Sequence, residues 1–376
     1  MIARARRALE WAVGSPDQQP AVSPRLSLIA FLIFVPLALA ETGVGIVLGR
    51  PIVAVGLLAV PVMAANREKP VVWAAAFVLT GILFRVGTAF GGPMTDQIET
   101  TQAAARGILD GLNPYGRPIA GTSTNAPFPY GPLALLAYLP GVWTEIGAAT
   151  VVLLILARHR AWLTLALYAP NPLLIRTSIA GANDVLPGLL IMLAVLRARQ
   201  SPRTAAVALA MATAVKPYAA AWLPGLVGLC GPECLLAFAL VSAALWSPVL
   251  LVWGVPSFLS SIAMAEAQHT GSQLALDVPG LRVLAVPVAA CATLLRSWRA
   301  FFWLGLAIYC IVLFLARWAS LGYVLAVAPI TGLVIEEWLA GRPPGQGRSS
   351  QPLPSGPAPV PAIRSHRPDS PASPAP

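Results

Sequence analysis

Long apolar runs separated by short polar segments dominate this chain. The runs cover residues 26–48, 51–64, 71–90, 131–157, 161–178, 184–197, 204–215, 218–230, 234–254, 281–295, 300–316 and 319–338. Many approach the ~20 apolar residues that an α-helix needs to cross a bilayer. Because backbone polar groups in lipid must be satisfied within helices or closed barrels, the pattern predicts an all-α polytopic membrane protein.

The positions of the basic residues predict how the helices are oriented. Short basic segments separate the runs at Arg67 with Lys69, at Arg158 with Arg160, at 197–203, and at Arg296 with Arg299. Cytoplasmic loops are enriched in Lys and Arg, so these segments are predicted to be cytoplasmic. All four basic segments lie on the cytoplasmic side of the membrane only if residues 204–230 form a hairpin. This hairpin would consist of two short helices that turn near Lys216-Pro217. The hairpin then gives twelve crossings with both termini in the cytoplasm.

Composition supports the membrane class and excludes others. The chain is 57% hydrophobic and 11% charged, against about 25% charged residues in soluble domains. The net charge is +10, but the arginines lie in short clusters between apolar runs, so no nucleic-acid partner is expected. The four cysteines lie in or beside apolar runs without metal-ligand spacing, and they imply no disulfide framework.

The chain divides into three predicted parts. Residues 1–25 form a cytoplasmic N-terminal segment, and 26–340 form the transmembrane domain. Residues 341–376 contain eleven prolines together with Ser, Gly and Ala. Such a composition cannot bury a core, so this segment is predicted to be a disordered cytoplasmic tail.

With this orientation, the titratable residues concentrate on the extracytoplasmic side, in loops 91–130, 179–184 and 255–280. They are Asp96, Glu99, Asp110, Asp184, Glu266, Asp277 and His269. Chemistry at the membrane surface is therefore expected on this side.

The first of these loops contains a predicted interfacial helix. Thr95 or Asp96 is placed to cap a helix that runs to about Leu109, and its apolar side predicts that it lies along the membrane surface. Asp110-Gly111 ends this helix, and Asn113-Pro114-Tyr115 follows as a turn. Capping alone would also explain Asp96.

Three further positions carry candidate chemistry. The segment 181–184 (Gly-Ala-Asn-Asp) predicts a turn and a helix start, so Asp184 is either a cap or a site residue. Lys216 between two short apolar helices is costly unless it reaches water or pairs with an anion, and a phosphate or carboxylate partner is predicted. His269 is either a site residue or an ordinary loop histidine.

Together these motifs resemble the integral-membrane GT-C glycosyltransferases, and most closely glycosyltransferase family 87, which uses polyprenyl-phosphate-mannose. The similar segments are Asp96-x13-Asp110-Gly-Leu-Asn-Pro-Tyr115, Phe128-Pro-Tyr130-Gly131-Pro-Leu133, Gly181-Ala182-Asn183-Asp184 and Lys216-Pro217. They span roughly residues 91–225. Gly131 stands where the family has proline, and Ala182 stands where it often has a polar residue, which leaves the sugar and the acceptor open.

The resemblance implies a GT-C-like bundle of about 10–12 transmembrane helices with an interfacial helix in the first large outer loop. It implies transfer of a sugar, mannose first, from a polyprenyl-phosphate donor to a lipid or glycan acceptor hydroxyl. The reaction would occur at the outer face of the plasma membrane, in cell-envelope biosynthesis, with inversion at the anomeric carbon.

The resemblance also assigns residue roles. Asp96 is the expected general base, with His269 as a second catalytic candidate. The expected donor- and acceptor-binding residues are Asn113, Tyr115, Tyr130, Asn183, Asp184 and Lys216, with Arg176 and Arg85 as alternative cations. No DxD-like pair is evident, so no obligatory metal is expected. No cofactor is expected, because the lipid-phosphate sugar is itself the donor substrate.

Two other classes remain open from the sequence. A secondary transporter or flippase for a lipid-linked or anionic substrate could use Lys216 with Glu41 and Glu145, and a scaffold could act through the proline-rich tail. Transporters usually concentrate charge at the bilayer midplane. The outer-loop position of the charges therefore favours transfer chemistry.

Overall fold

The computed structural model describes residues 24–41, 69–91, 96–179, 181–268, 274–316 and 319–339. Every regular element in these ranges is helical. The α-helices are α1 (Pro24–Glu41), α2 (Pro70–Gly91), α3 (Asp96–Leu109), α4 (Pro132–Ala137), α5 (Val142–Arg158), α6 (Trp162–Tyr168), α7 (Pro172–Ile179), α8 (Val185–Arg197), α9 (Pro202–Val215), α10 (Leu223–Cys230), α11 (Pro232–Trp253), α12 (Val255–Gln268), α13 (Ala285–Leu294), α14 (Trp298–Phe314) and α15 (Leu321–Leu339). Short 3-10 helices, Pro217–Trp222 and Pro279–Leu284, precede α10 and α13.

The predicted class is confirmed. Among the described residues, three helices are long and apolar enough to cross a membrane on their own: 71–90 within α2, α11 and α15. Shorter apolar helices, among them α8, α9 and α14, make up much of the rest of the bundle. The chain is an all-α polytopic membrane protein. The segments 1–23 and 340–376 lie outside the described residues, so their predicted cytoplasmic locations stay predictions.

Proline marks where many of these helices begin. It is the first residue of α1, α2, α4, α7, α9 and α11. The first N–H of a helix has no intrahelical partner, and the fixed φ of proline suits this position. Proline therefore marks the start of these six helices.

Residues 202–230 form a hairpin, as the orientation argument predicted. Helix α9 ends at Val215, and Lys216 is extended, with φ −136° and ψ 121°. The chain then returns through the 3-10 helix and α10, until the thiol of Cys230 lies 3.5 Å from the carbonyl oxygen of Ala198. Both ends of the hairpin thus lie beside the α8–α9 connection.

Two predicted single spans are each broken into two helices, which corrects the boundaries drawn from hydropathy. Within 131–157, Pro140-Gly141 separates α4 from α5, and Gly141 has a φ of 67°. Within 161–178, Asn171 starts α7 by accepting hydrogen bonds from the N–H groups of Leu173 and Leu174 at 3.1 and 3.2 Å. A glycine turn and a side-chain cap thus interrupt the helices inside these two apolar runs.

One end of the bundle, here called the arginine end, gathers the basic loops that follow α5, α8 and α13. Trp298 at the start of α14 donates its indole N–H to the carbonyl oxygen of Val195 in α8, at 3.2 Å. At the same end, Glu336 of α15 accepts hydrogen bonds from the backbone N–H groups of Leu163 and Thr164, at 3.1 and 2.9 Å. Glu336 thereby caps α6, whose own N-cap position is the alanine Ala161.

The opposite end of the bundle, here called the Lys216 end, holds the polar loops. There α3 packs beside α4, and α4 packs against α9 and α11. The N–H of Gly131 donates to the carbonyl oxygen of Val215 at 3.0 Å, which ties the start of α4 to the end of α9. A β-carbon at Gly131 would collide with the backbone of Ala214, so only glycine permits this approach.

Candidate functional site

A buried ion pair lies at the centre of the Lys216 end. The ammonium Nζ of Lys216 is 2.6 Å from Oδ1 of Asp184, and the two side chains are 4% and 0% exposed. The hydroxyl of Tyr218 donates to the same carboxylate oxygen at 2.6 Å. Removing two charges from water is costly, and a short, hydrogen-bonded contact offsets much of that cost.

Asp184 does not cap the helix that it precedes. It occupies the N-cap position of α8, yet its side chain makes no capping hydrogen bond. Glu145 of α5 does so instead, accepting from the N–H of Val185 at 2.9 Å and from that of Leu186 at 3.3 Å. Tyr138 donates its hydroxyl to Glu145 as well. The Asp184 carboxylate is therefore available to Lys216, and simple capping no longer explains it.

Several polar atoms next to the ion pair have no protein partner among the described residues. They are Oδ2 of Asp184 and both the Oδ1 and Nδ2 atoms of Asn183, and both residues are fully buried. An unsatisfied buried polar group costs about 1–3 kcal/mol. Such groups in a native protein call for a specific explanation, such as a bound polar ligand or water. Asn183 and Asp184 thus form a polar face inside the bundle.

Tyrosine rings surround the Lys216 ammonium. Its Nζ lies 5.1 Å from the centroid of the Tyr130 ring and 5.7 Å from that of Tyr218. Burial, together with the carboxylates of Asp184 and Asp96, raises the pKa of Tyr130 well above its usual range. Tyr130 therefore keeps its phenolic proton and can donate a hydrogen bond.

Asp96 lies beside this cluster, at the first residue of α3. The helix extends to Leu109, the end that the sequence predicted. Asp96 lines a narrow crevice of about 20 Å³ with Gln97, Thr100, Tyr130 and their neighbours, which is room for about one water-sized group. The side-chain oxygen of Gln97 lies 3.4 Å from the Lys216 ammonium. Adjacent residues of α3 thus reach the crevice and the ion pair.

Asn113 and Tyr115 shape the loop that carries Tyr130. The Asn113 side chain accepts a hydrogen bond from the N–H of Tyr115 at 2.9 Å, which makes the predicted turn. Tyr115 then donates its hydroxyl to the carbonyl oxygen of Tyr130 at 3.1 Å, and its ring packs against Phe258 of α12 at 5.4 Å. These two residues hold the loop, and their predicted contact with substrate stays a prediction.

The other predicted site residues are placed differently. Arg85 is buried and donates from Nη1 to the carbonyl oxygens of Gly81 and Ala169, at 2.9 and 3.0 Å, joining α2 to the end of α6. Arg176 is exposed on α7. The described contacts bring neither arginine to the Lys216–Asp184 pair. His269 lies outside the described residues, so its predicted role is untested.

Three residues of the site, Gln97, Tyr218 and Gly322, were not predicted from the sequence, and Glu145 was predicted only for the transporter alternative. Gln97 and Tyr218 lie next to or near predicted residues and could have been found by proximity. Glu145 stood out only as an isolated acid in an apolar run. Gly322 carried no indication at all, although a β-carbon there would collide with Oδ2 of Asp184.

The comparisons with known proteins bear on only part of the chain. Residues 149–316 match the family model described as GPI transamidase subunit PIG-U. No curated protein and no solved structure matches the chain. The matched region contains Asn183, Asp184 and Lys216, but it does not include Asp96 or the Tyr130 loop. The chain is therefore similar to PIG-U over its central helices, and the resemblance to glycosyltransferase family 87 stays a prediction.

Proposed function

We propose that this protein is a membrane-embedded glycosyltransferase that moves a sugar from a polyprenyl phosphate to the hydroxyl of a lipid or glycan acceptor. The observation that carries the proposal is the convergence of Asp96, Tyr130 and the Lys216–Asp184 pair at one end of the bundle. The carboxylate in the crevice would act as a base on the acceptor hydroxyl. The ammonium close by would act as a cation for the departing phosphate.

In the proposed reaction, the acceptor oxygen attacks the anomeric carbon as the bond from that carbon to the phosphate oxygen breaks. The Asp96 carboxylate takes the proton of the acceptor hydroxyl, which is general-base catalysis. The departing polyprenyl phosphate keeps the bonding electron pair, and direct displacement inverts the anomeric centre.

Lys216 would stabilise the departing phosphate. An ammonium has three N–H donors, and the described contacts use one toward Asp184 and one toward Gln97. The third can reach a phosphate oxygen in a low-dielectric site, where charge stabilisation is strongest. In this scheme Asp184 and Tyr218 position the ammonium, while Asn183 and the second oxygen of Asp184 bind sugar hydroxyls.

The proposed setting follows from the arginine distribution. The arginine end faces the cytoplasm, and the Lys216 end faces the outer surface of the plasma membrane, where lipid-linked donors are presented. Mannose is the first donor to test and a pentose the second. The reaction is proposed to proceed with the lipid-phosphate sugar alone, without a metal or an added cofactor.

Transfer by the purified full chain in nanodiscs tests the proposal. Radiolabelled polyprenyl-phosphate-mannose, and then a pentose donor, would be supplied with an envelope lipid extract as acceptor. Asp96→Asn is expected to lower the transfer rate by about 10²–10⁴-fold, the usual contribution of a general base. Asp110→Asn, which changes an exposed acid just after the same helix, is the matched control and should keep full activity. A fully active Asp96→Asn protein would contradict the assigned role.

A second candidate is favoured by the family match alone. Residues 149–316 are similar to a GPI transamidase subunit. In this second candidate, the protein binds a lipid-linked glycan without transferring it. Labelled glycolipid would then bind to wild type and to Asp96→Asn equally, and binding would fall in Lys216→Met. Binding without transfer, in a preparation that retains partner proteins, would favour this candidate over the enzyme.

A further inference from the structure

A groove at the arginine end lies far along the bundle from the site described above. It has a volume of about 310 Å³ and is lined by Trp298, Arg299, Trp303, Val334 and Trp338, from α14 and α15. The lining combines three indole rings with one guanidinium. Tryptophan is enriched where transmembrane helices meet the polar surface of the bilayer, which is the level expected for this groove.

The walls of the groove face outward. The side chains of Trp303 and Trp338 are 43% and 61% exposed, whereas Val334 at the base is buried. Trp303 lies five residues into α14 from Trp298, which is about 7.5 Å along a helix axis. The groove therefore extends from the level of the basic loops toward the hydrocarbon, as an acyl chain below a headgroup does.

The rear of the groove is rigid. The Trp298 indole donates to the Val195 carbonyl at 3.2 Å and stacks on the Phe302 ring, with centroids 5.7 Å apart and planes 9° apart. The guanidinium of Arg199 lies over the Trp298 ring, 5.2 Å from its centroid. Trp298 is thus fixed in place, with a cation held on its face.

Two guanidinium groups lie at the mouth of the groove, that of Arg299 in its lining and that of Arg199 close to it. Burial and the neighbouring Arg299 guanidinium lower the pKa of Arg199, and Glu337 opposes them. Glu337 also contacts Nδ1 of His159 at 2.9 Å, so one carboxylate faces both this histidine and Arg199. Arg299 is exposed and has no carboxylate partner among the described residues. Two guanidinium groups near each other favour an anion between or beside them.

We propose that this groove binds an anionic phospholipid of the bilayer, with its phosphate at Arg299 and Arg199 and one acyl chain between Trp303 and Trp338. Basic pockets between transmembrane helices are known to take anionic lipid headgroups. The groove combines this charge with an apolar channel that extends from the basic loops toward the hydrocarbon, as an acyl chain does. The site is independent of the proposed transfer reaction.

The test measures thermal unfolding of the purified full chain in detergent, with phosphatidylglycerol, with phosphatidylcholine of the same acyl chains, or with inorganic phosphate. We expect phosphatidylglycerol to raise the unfolding temperature and the other two to raise it far less. Arg299→Gln should weaken phosphatidylglycerol binding about fivefold, equivalent to the ~1 kcal/mol that one basic residue contributes near an anionic membrane. Trp303→Leu should weaken it too, because it removes a wall without changing charge.

Two control variants separate this site from surface charge in general. Arg203→Gln removes an exposed cation from the same end of the bundle, where Arg203 pairs with Glu233 at 3.0 Å, and it should bind as wild type does. Arg299→Lys keeps the charge and should retain most of the binding. Equal stabilisation by the two phospholipids, equal weakening by Arg203→Gln and Arg299→Gln, or full stabilisation by inorganic phosphate would each overturn the proposal.

Discussion

Glu145 performs the helix-capping function at the position that Asp184 occupies. Its carboxylate accepts the N–H of Val185 at 2.9 Å, while the Asp184 side chain turns to Lys216. One carboxylate satisfies the helix start, and the other is left for the ion pair. The polar centre of the site depends on this division between two acids that are 39 positions apart in the chain.

Removing the Glu145 carboxylate should destabilise the fold. Glu145→Ala leaves the N–H groups of Val185 and Leu186 unsatisfied in the interior, a loss of about 1–3 kcal/mol per group. Glu145→Gln keeps one acceptor oxygen and should lose less. Thermal unfolding in detergent measures both, with Glu233→Ala as the control, because the exposed Glu233–Arg203 pair should contribute under about 1 kcal/mol. Equal losses at positions 145 and 233 would contradict the capping role.

The Lys216–Asp184 pair should show strong coupling in stability. Lys216→Met or Asp184→Asn alone leaves one buried charge uncompensated, which costs about 3–5 kcal/mol. The double variant removes both charges and should recover much of that loss, while transfer activity stays absent. Free energies of unfolding for the four proteins give the coupling directly. Losses that simply add would show that the two charges act independently.

Gly322→Ala should disturb the site through a single methyl group. A β-carbon there would collide with Oδ2 of Asp184, so the carboxylate must shift from its position beside Lys216. We expect lower stability and a large loss of transfer activity. Gly147→Ala in α5 is the matched control, since nothing lies within 4 Å of its β-carbon, and alanine should be neutral or stabilising by up to ~1 kcal/mol. Similar behaviour of the two variants would argue against a packing role for Gly322.

The loop after α3 should loosen in acid. Glu99 accepts hydrogen bonds from the hydroxyl and the N–H of Ser123, at 2.7 and 3.1 Å, and these lower the pKa of Glu99. A depressed folded-state pKa means that the contact stabilises the loop above the ordinary Glu pKa and is lost as pH falls through the lowered value.

Hydrogen exchange of residues 119–125, corrected for intrinsic rates, would follow this change from about pH 7 to about pH 3, a range that brackets the ordinary Glu pKa. Glu99→Gln should remove the pH dependence of protection. A loop that loosens equally in wild type and Glu99→Gln would place the titrating group elsewhere.

Local features of the site could be predicted from the sequence, because they depend on neighbouring residues. The α3 helix from Asp96 to Leu109, the Asn113 turn and the break at Lys216-Pro217 all follow from caps, glycine and proline. A phosphate or carboxylate partner for Lys216 was predicted, but not that Asp184 would be this partner. Glu145 comes to the start of α8, and Gly322 to Asp184, only through helix packing, and neither has a local pattern that marks it.

The cap that Glu336 provides for α6 depends on the order of synthesis. The N–H groups of Leu163 and Thr164 find their acceptor on a residue translated more than 170 positions later. A nascent chain that still lacks α15 has no Glu336 carboxylate to accept from these donors, so this cap forms only after α15 has been synthesised. The start of α6 at the arginine end is therefore completed late in synthesis.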